Sequence, residues 1–203
     1  MDTKTAIKQL NELKKMGRAH RLAADGWDED WKTLVATLMS ARTTDKKTIP
    51  VAESLFERYE NLIKLSNAKL GDVEKLIRGV NFYKTKTKHI IELAKVLVKD
   101  YFSKVPHDFA KLIELPGVGR KTANVFLAEK GHANIGVDTH LTYVSNYLGW
   151  TRYKEQQKIE SDLENLFPKR LWGALNWIVV RFGQSYRSKK EKNKILNKIK
   201  LMS

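Results

Sequence analysis

The side chains best placed to do chemistry lie in residues 112–140, and the first of them is Lys121. It stands directly behind the run Leu-Pro-Gly-Val-Gly-Arg of residues 115–120. An amine must lose its proton before it can attack, and a helix N-terminus with a basic neighbour disfavours the protonated form. In the first turn of a helix and next to Arg120, Lys121 could therefore act as a nucleophile. Its position equally allows a simpler role, in which Lys121 only binds a phosphate.

The second candidate is Asp138, in the run Val-Asp-Thr-His of residues 137–140. Its place just before a predicted helix predicts an N-cap. A carboxylate in a cleft of low dielectric would also stabilise the positive charge that develops on a sugar ring as its base departs. One residue can hold both roles. His140, two positions further on, is expected to be structural rather than a proton carrier.

A hairpin between two short helices must position Lys121. Asp108 can cap the first helix, Pro116 ends it, and a second helix is predicted to begin near Gly119. Glycines leave their N–H groups open to a ligand, and the start of a helix attracts an anion. A bare Gly-x-Gly would be an ordinary turn, whereas the full run with a basic pair behind it predicts a phosphate contact. The residues expected to make this contact are Leu115, Gly117, Val118, Gly119 and Arg120.

The composition indicates a folded protein with a polyanionic partner. Lys and Arg number 38 against 23 Asp and Glu, a net charge of +15, and the hydrophobic fraction is 42%. Such an excess favours nucleic acid, although a surface kept charged for solubility would have the same composition.

The sequence has neither a long apolar segment nor the apolar core of a signal peptide. This predicts an intracellular protein, located in the cytoplasm at the nucleoid, without a membrane partner. Cysteine is absent, which excludes disulfides, thiol nucleophiles and cysteine-held zinc or iron–sulfur centres.

Apolar residues recur at spacings of three, four and seven, which predicts helices throughout and an all-α fold. The predicted helices are 4–16, 28–41, 50–59, 61–66, 72–77, 84–100, 108–114, 119–130, 138–148, 155–165, 169–185 and 191–200. The last stretch of the chain, 181–203, carries eight basic residues and one acid. This stretch is either a solvated helix face or an arm that faces phosphates.

These motifs together resemble one family. The run Leu-Pro-Gly-Val-Gly-Arg-Lys-Thr-Ala-Asn-Val of residues 115–125, followed by Val-Asp-Thr-His, closely resembles the endonuclease III group of helix-hairpin-helix DNA glycosylases. The likeness extends to Leu-Met-Ser-Ala-Arg-Thr-Thr-Asp at 38–45, Val-Asn-Phe-Tyr-Lys-Thr-Lys at 80–86 and Arg-Phe-Gly-Gln at 181–184. The resemblance therefore spans residues 28–184 of the chain.

The resemblance implies a two-lobed, all-helical fold. A six-helix barrel would occupy residues 27–131 and would contain the helix-hairpin-helix at 108–130. The second lobe would combine residues 1–26 with residues 132–203. Each lobe would carry one of the two candidate residues.

The family's catalytic lysine and aspartate match Lys121 and Asp138. By this resemblance, double-stranded DNA with a damaged base or an abasic site would lie across the cleft between them, and the damaged base, often an oxidised pyrimidine, would be flipped out of the duplex. Lys121 would attack C1′ and expel the base, and the resulting Schiff base would permit β-elimination on the 3′ side. The implied protein is a monomeric DNA glycosylase and AP lyase of base excision repair.

Two residues match positions that probe the gap left by a flipped base. Phe82 takes the place of an aliphatic wedge, where an apolar side chain can fill an unstacked step; alternatively, it is a core aromatic beside Tyr83. Arg42 takes the place where many relatives have glutamine, and it could hydrogen-bond the orphaned base or form a surface ion pair. The residues that are candidates for a pocket are Ser40, Asp45 and His140.

The chemistry itself is expected to need no cofactor. Most endonuclease III relatives carry four cysteines that hold an iron–sulfur cluster near the C-terminus, and this chain has no cysteine to bind one. Packing is expected to replace the cluster as a staple, through Trp172, Trp177, Ile195 and Leu196. Lys189 and Lys190 are expected to replace its DNA-facing loop. A monovalent or divalent cation could bind the hairpin through the carbonyl groups that match such a site in related hairpins, those of Ile113, Leu115 and Val118.

Two other functions remain open. A monofunctional mismatch glycosylase would remove thymine or adenine without cutting the strand, although adenine-specific relatives generally lack the hairpin lysine and carry a further domain. A non-catalytic module would use the hairpin only for phosphate contact that is independent of sequence. Lys121 and Asp138 at their matched positions favour the bifunctional enzyme.

Overall fold

The computed structural model describes residues 1–186 and 188–201, and it confirms the all-α prediction. Arg187, from the predicted basic stretch, and residues 202–203 lie outside the described residues. Within the described ranges there is no strand, and no helix there is long and apolar enough to cross a membrane. The helices are α1 Thr3–Met16, α2 Asp30–Ser40, α3 Asp45–Arg58, α4 Leu62–Ser66, α5 Leu70–Leu76, α6 Tyr83–Asp100, α7 Phe109–Glu114, α8 Arg120–Glu129, α9 Thr139–Leu148, α10 Gln156–Leu166, α11 Trp172–Ser185, which follows a 3-10 helix at Lys169–Leu171, and α12 Lys189–Lys200.

Aspartate side chains determine where several helices begin. The side chain of Asp2 accepts a hydrogen bond from the Thr5 amide at 2.9 Å, and Asp108 accepts one from the Lys111 amide at 2.9 Å. Each bond satisfies one of the amide groups that the first turn of a helix leaves without an internal partner. The cap predicted at Asp108 is therefore confirmed, one residue before α7.

The start of α3 is the largest difference between the predicted helices and the structure. The predicted helix began at Pro50, whereas α3 begins at Asp45 and contains the proline in its second turn. Proline removes one helical hydrogen bond, here the bond to the carbonyl group of Lys46. Lys46 is an exposed residue in the first turn, so water can take that bond. The helix is stabilised instead by a buried face, made of Thr48, Ala52, Leu55 and Phe56.

The chain divides into two compact units, and the first is the central unit, residues 21–126. Its core surrounds α2, in which every residue from Trp31 to Met39 except Lys32 is buried. The aromatic rings of Trp31 and Phe56 meet edge to face, with 5.1 Å between their centres. Helix α6 packs on α2, α4 and α5 through a buried apolar face. These contacts fix the end of α2, from which the segment 40–45 continues.

The second is the terminal unit, which joins residues 1–20 to residues 127–203. Its core forms where α1 packs against α11, with Leu10, Leu175 and Phe182 buried. Helix α12 adds Leu196 and Ile199 to the same core. The lobe limits at 27–131, and the assignment of a six-helix barrel, stay predictions.

The residues expected to act as a staple pack into this core. Leu196 is fully buried, and the other three, Trp172, Trp177 and Ile195, are partly buried against it. The Trp172 indole N–H donates to the carbonyl oxygen of Phe167 at 2.9 Å, which ties α11 to the segment that precedes it. Helix α12 is therefore a packed element of the terminal unit.

His140 packs against the backbone of α11 at Gly183, and this contact leads to a prediction about stability. A Cβ at Gly183 would lie 2.2 Å from the His140 Nδ1 atom, whereas a Cβ at Gly71, in α5, would have no heavy atom within 4 Å. We expect Gly183→Ala to lower the free energy of unfolding by about 1–3 kcal/mol, because the imidazole must move. Gly71→Ala, the matched control, should raise it by about 0.5 kcal/mol through helix propensity. Urea denaturation measures both changes, and equal stability of the two variants would contradict the expected clash.

Candidate active site

The hairpin between α7 and α8 is anchored by two apolar side chains. Leu115 and Val118 are buried, and the Val118 amide donates to the Leu115 carbonyl oxygen at 3.1 Å, which closes the turn. Because their side chains belong to the core, these two residues can reach a phosphate or a cation only through backbone atoms. Gly117 and Gly119, which lie beside Val118, leave the backbone of the turn accessible.

The two glycines of the hairpin serve different purposes. Gly117 has φ +75°, and a Cβ there would lie 2.7 Å from the His89 Cβ of α6, so both the turn and the packing require glycine. A Cβ at Gly119 would have no heavy atom within 4 Å. The open space at Gly119 lies directly before the first turn of α8, where amide groups lack helical partners and favour an anion.

Lys121 lies in this first turn of α8 and is half-buried. The residues after it, Thr122 and Ala123, are buried, so the helix is held firmly behind the lysine. The Ala123 amide donates to the Gly119 carbonyl oxygen at 3.0 Å, which is the first hydrogen bond of the helix. The guanidinium of Arg120 lies over the Phe109 ring at 4.9 Å. Lys121 therefore combines partial exposure with a place at a helix N-terminus and an adjacent cation.

Asp138 is the N-cap of α9, as predicted. Its Oδ1 atom accepts from the Leu141 amide at 2.8 Å. The segment before it is fixed by the buried side chains of Ile135 and Val137, and by the Asn176 amide group, which donates to the Gly136 carbonyl oxygen at 2.5 Å. The position of Asp138 is thus determined by core packing on one side and by its own helix on the other.

Asp138 borders an open depression of the terminal unit. This depression has a volume of about 710 Å³ and is lined by Asp138, Thr139, Thr142, Tyr143, Asn146, Tyr147, Lys154 and Gln156. Asp138 belongs to the terminal unit, whereas Lys121 belongs to the central unit.

Arg42 and Phe82 are brought together in the central unit. Both have left-handed backbones, with φ +57° and +58°, a conformation that costs about 1–2 kcal/mol for a residue other than glycine. The Arg42 guanidinium lies over the Phe82 ring at 5.1 Å. Phe82 is 58% exposed, so the alternative that it is a core aromatic is wrong.

Polar contacts join the loops that carry this pair. The Asn81 side chain donates to the Arg42 carbonyl oxygen at 2.5 Å, and the Asn81 amide donates to the Thr43 hydroxyl at 3.0 Å. The Lys86 ammonium donates to the carbonyl oxygens of Met39 and Ala41, at 2.6 and 2.7 Å, and lies 3.3 Å from the Thr43 hydroxyl. No sequence motif assigned a role to Lys86, although the buried residues Ile90, Leu93 and Leu97 follow it at helical spacing and indicate an inward position.

Burial lowers the pKa of Lys86 to about 8 from 10.5, and this shift predicts a pH dependence of stability. Between these two pH values the unfolded chain binds the proton that the folded protein has lost, so stability should rise with pH. We expect a rise of at most about 3 kcal/mol relative to Lys86→Met, which lacks the titrating group. Urea denaturation of both proteins from pH 8 to pH 10.5 measures it. Parallel stability curves for the two proteins would contradict the lowered pKa.

The three pocket candidates lie in different places. The Ser40 hydroxyl donates to the Thr37 carbonyl oxygen at 2.8 Å at the end of α2, and Asp45 Oδ1 accepts from the Ala23 amide at 3.2 Å at the start of α3. Both residues therefore flank Arg42 in the central unit. His140 packs on α11 in the terminal unit. Their part in a pocket stays a prediction.

Lys189 and Lys190 are exposed at the start of α12. A capping box between Ser188 and Glu191 begins this helix, and the Lys189 ammonium lies 5.9 Å from the centre of the Tyr143 ring. Two cations in a first turn oppose the helix dipole, whereas an anion bound there would interact favourably with both. Lys189 and Lys190 thus do not stabilise the start of α12 by their charge, but they could contact a phosphate there.

Comparison with known proteins decides the family. Residues 35–169 match the HhH-GPD superfamily of base excision DNA repair proteins. The endonuclease III of Thermotoga maritima is 38% identical over 158 residues, which cover 77% of this chain and 74% of that protein. The endonuclease III of Rickettsia felis is 36% identical over 156 residues, 76% of this chain and 73% of that protein. This chain belongs to the endonuclease III family.

Solved structures of endonuclease III with DNA agree with this assignment. A trapped covalent endonuclease III–DNA intermediate has a TM-score of 0.83 at 30% identity, over 93% of this chain and 90% of that one. A non-covalent endonuclease III–DNA complex has a TM-score of 0.84 at 30% identity, over 94% and 89%. A thermostable thymine-DNA glycosylase, at 18% identity and a TM-score of 0.79, shares the fold. The resemblance stated from the motifs is confirmed.

The C-terminal part of this chain departs from the endonuclease III pattern. The 203 residues contain no cysteine, and residues Lys189–Lys200 form the packed helix α12. They therefore do not fit a cysteine-held iron–sulfur cluster. The described parts of the chain contain no cluster of three or more His, Asp or Glu side chains that could hold a metal ion. We still predict that the chemistry needs no cofactor. A cation bound by the hairpin carbonyl groups also stays a prediction.

Proposed function

We propose that this endonuclease III family member is a bifunctional DNA glycosylase and AP lyase, with Lys121 as its nucleophile. The observation that carries the proposal is the place of Lys121 in the first turn of α8, directly behind a hairpin open to a phosphate at Gly119. The trapped covalent intermediate of the similar endonuclease III supports it, because a covalent bond to DNA requires a nucleophile. The substrate is double-stranded DNA with an oxidised pyrimidine or an abasic site.

The proposed reaction begins on the sugar of the flipped nucleotide. The neutral amine of Lys121 attacks C1′, the bond from C1′ to the base breaks, and the base departs with the electron pair and takes a proton. The nitrogen then loses a proton and forms a double bond to C1′ as the C1′–O4′ bond breaks, and O4′ keeps that electron pair and takes up a proton, which gives a Schiff base. Removal of a 2′ proton then expels the 3′ phosphate, and water releases the lysine. Asp138 would stabilise the positive charge on the sugar while its carboxylate also caps α9.

Arg42 and Phe82 would occupy the gap that the flipped base leaves. Their exposure and mutual contact support this role, because an apolar ring can fill an unstacked step while a guanidinium donates to the orphaned base. Leu115, Gly117, Val118, Gly119 and Arg120 would hold a phosphate at the hairpin. A monomeric enzyme at the nucleoid remains our expectation for a substrate of this kind.

The direct test is a duplex that contains thymine glycol, analysed with and without alkali after incubation with the protein. A bifunctional enzyme nicks the strand without alkali. A monofunctional glycosylase leaves an abasic site that only alkali cuts, and a binding module leaves the strand intact under both conditions. Either of the last two results would overturn the proposal.

The basic start of α12 gives a prediction about salt. Replacing Lys189 and Lys190 with alanine should weaken the binding of every DNA sequence and reduce the slope of log K against log salt by up to about 2, since each neutralised phosphate adds about 0.9 to that slope. The control replaces Lys194 and Lys198, two further lysines of the same helix, and makes the same change in net charge. Fluorescence anisotropy across a salt series measures both slopes. A wild-type slope for the variant without Lys189 and Lys190 would place the first turn of α12 away from the phosphates.

A further inference from the structure

Lys86 is a buried cation that the proposed chemistry does not use. Only 6% of the residue is exposed, and its hydrogen-bond acceptors are the carbonyl oxygens of Met39 and Ala41 and the hydroxyl of Thr43. The two carbonyl groups lie at the C-terminal end of α2, where helical carbonyls lack internal partners. Lys86 therefore caps α2 from α6, and it does so immediately before Arg42.

Asn81 also forms hydrogen bonds with the segment after α2, at Arg42 and Thr43. Its side chain donates to the Arg42 carbonyl oxygen, and its amide donates to the Thr43 hydroxyl. The Thr43 hydroxyl is thus the point where bonds from Asn81 and Lys86 meet. The two chain neighbours of Arg42 are therefore both bonded: Ala41 to Lys86 of α6, and Thr43 to Lys86 and to Asn81, which precedes Phe82.

Stability alone does not account for this arrangement. Burial of an ammonium group carries a desolvation cost, and its bonds to the carbonyl groups at the end of α2 serve first to offset that cost. The acceptors of Lys86 lie on both sides of Arg42, which, like Phe82, has a left-handed backbone that residues other than glycine rarely adopt. Strained residues persist where the surrounding structure over-determines them, and they cluster at functional sites.

We propose that Lys86 is a positioning residue that locks Arg42 and Phe82 into a rigid probe before DNA is bound. The inference rests on the proposed function, in which this pair occupies the gap in the opened duplex. A probe fixed in advance loses less conformational entropy when it enters the base stack. Lys86 should therefore matter for excision from duplex DNA and not for chemistry on a single strand, which has no orphaned base and no gap.

The test compares Lys86→Met with Lys99→Met. Both replacements lie on α6 and remove one positive charge, but Lys99 is exposed and about 20 Å further along the helix. We expect Lys86→Met to slow single-turnover excision of thymine glycol from a duplex by about tenfold or more, the scale of a small misplacement in a site. Strand cleavage of a single-stranded abasic oligonucleotide should stay at the wild-type rate. With 2-aminopurine opposite the lesion, the fluorescence rise on binding should shrink for this variant only.

A double-mutant cycle separates positioning from general stability. In a protein that already carries Arg42→Ala and Phe82→Ala, the further change Lys86→Met should slow duplex excision no more, because the residues it positions are gone. If Lys86→Met slows duplex excision by the same factor with and without Arg42 and Phe82, the proposal is overturned. Thr43→Val, which keeps the side-chain shape and removes the shared hydroxyl, tests the same lock if Lys86→Met does not fold.

The outcomes distinguish this inference from the proposed function. A wild-type protein that releases no thymine glycol overturns the proposed function, and this inference falls with it. A wild-type protein that is active while Lys86→Met and Thr43→Val match it on the duplex overturns the inference alone. Equal losses on duplex and single-stranded substrates would also overturn it, because they indicate a general structural role.

Discussion

Lys121→Ala should lose strand cleavage at abasic sites while it keeps its affinity for DNA. Without the amine, no Schiff base forms, and β-elimination loses the electron sink that makes the 2′ proton acidic. Removal of a nucleophile costs several orders of magnitude, so we expect the rate to fall by at least about 10³-fold. Single-turnover cleavage of an abasic duplex gives the rate, and anisotropy gives the affinity.

The matched control for this prediction is Lys121→Arg. Arginine keeps the positive charge at the start of α8 but cannot act as a nucleophile, because it stays protonated. If Lys121 only binds a phosphate, Lys121→Arg retains cleavage and Lys121→Ala weakens binding. If Lys121 is the nucleophile, both variants are inactive. Cleavage by Lys121→Arg would therefore remove Lys121 from the proposed mechanism.

The second large effect is expected for Asp138→Asn, which should slow base removal by about 10²–10³-fold, the scale for loss of one group that stabilises a developing charge. Asparagine is as good an N-cap as aspartate, so α9 should still begin at Thr139. Base release under single-turnover conditions, corrected for the folded fraction, measures the effect.

Asp138→Ala serves as the comparison that isolates the cap. It loses the bond from the Leu141 amide and should lower the free energy of unfolding by about 1 kcal/mol. Asp138→Asn should keep its stability and lose its rate. A residue that is only a cap would keep both stability and rate in Asp138→Asn and would lose stability alone in Asp138→Ala. A wild-type rate for Asp138→Asn would leave Asp138 with a structural role alone.

Local signals in the sequence were enough to predict most helix ends. Asp108 and Asp138 were expected to be caps, and each accepts a hydrogen bond from the amide three residues on. An N-cap depends on one side chain and one nearby amide, so the sequence alone contains the information. Pro50 misled the prediction of α3 because buried residues on both sides of it outweigh one missing hydrogen bond.

The arrangement around Arg42 depends on contacts that are distant in sequence. Lys86 bonds to residues 43 to 47 positions earlier in the chain, and Asn81 to residues 38 and 39 positions earlier. No local rule predicts these pairings. A positive φ at Arg42 or Phe82 is equally invisible, since neither is a glycine. The inward position of Lys86 was the one feature that helical spacing could have predicted.

The terminal unit indicates how an endonuclease III family member can be built without cluster cysteines. Helix α12 buries Leu196 and Ile199, and it is tied to α9 by hydrogen bonds. The Tyr147 hydroxyl donates to the Asn197 side chain at 2.7 Å, and the Tyr143 hydroxyl donates to the Asn193 side chain. Apolar burial and these bonds together fix the last helix in place. The first turn of α12 then presents its lysines from a defined position.

Borohydride trapping shows whether Lys121 is the nucleophile. Wild-type protein and Lys121→Ala are incubated with a thymine glycol duplex and with an abasic duplex, and peptide mass spectrometry locates any reduced adduct. We predict that the wild type forms a covalent adduct with both duplexes, attached at Lys121, and that Lys121→Ala forms none. An adduct that persists in Lys121→Ala, or no adduct with the wild type despite tight binding, would contradict the assignment of Lys121 as the nucleophile.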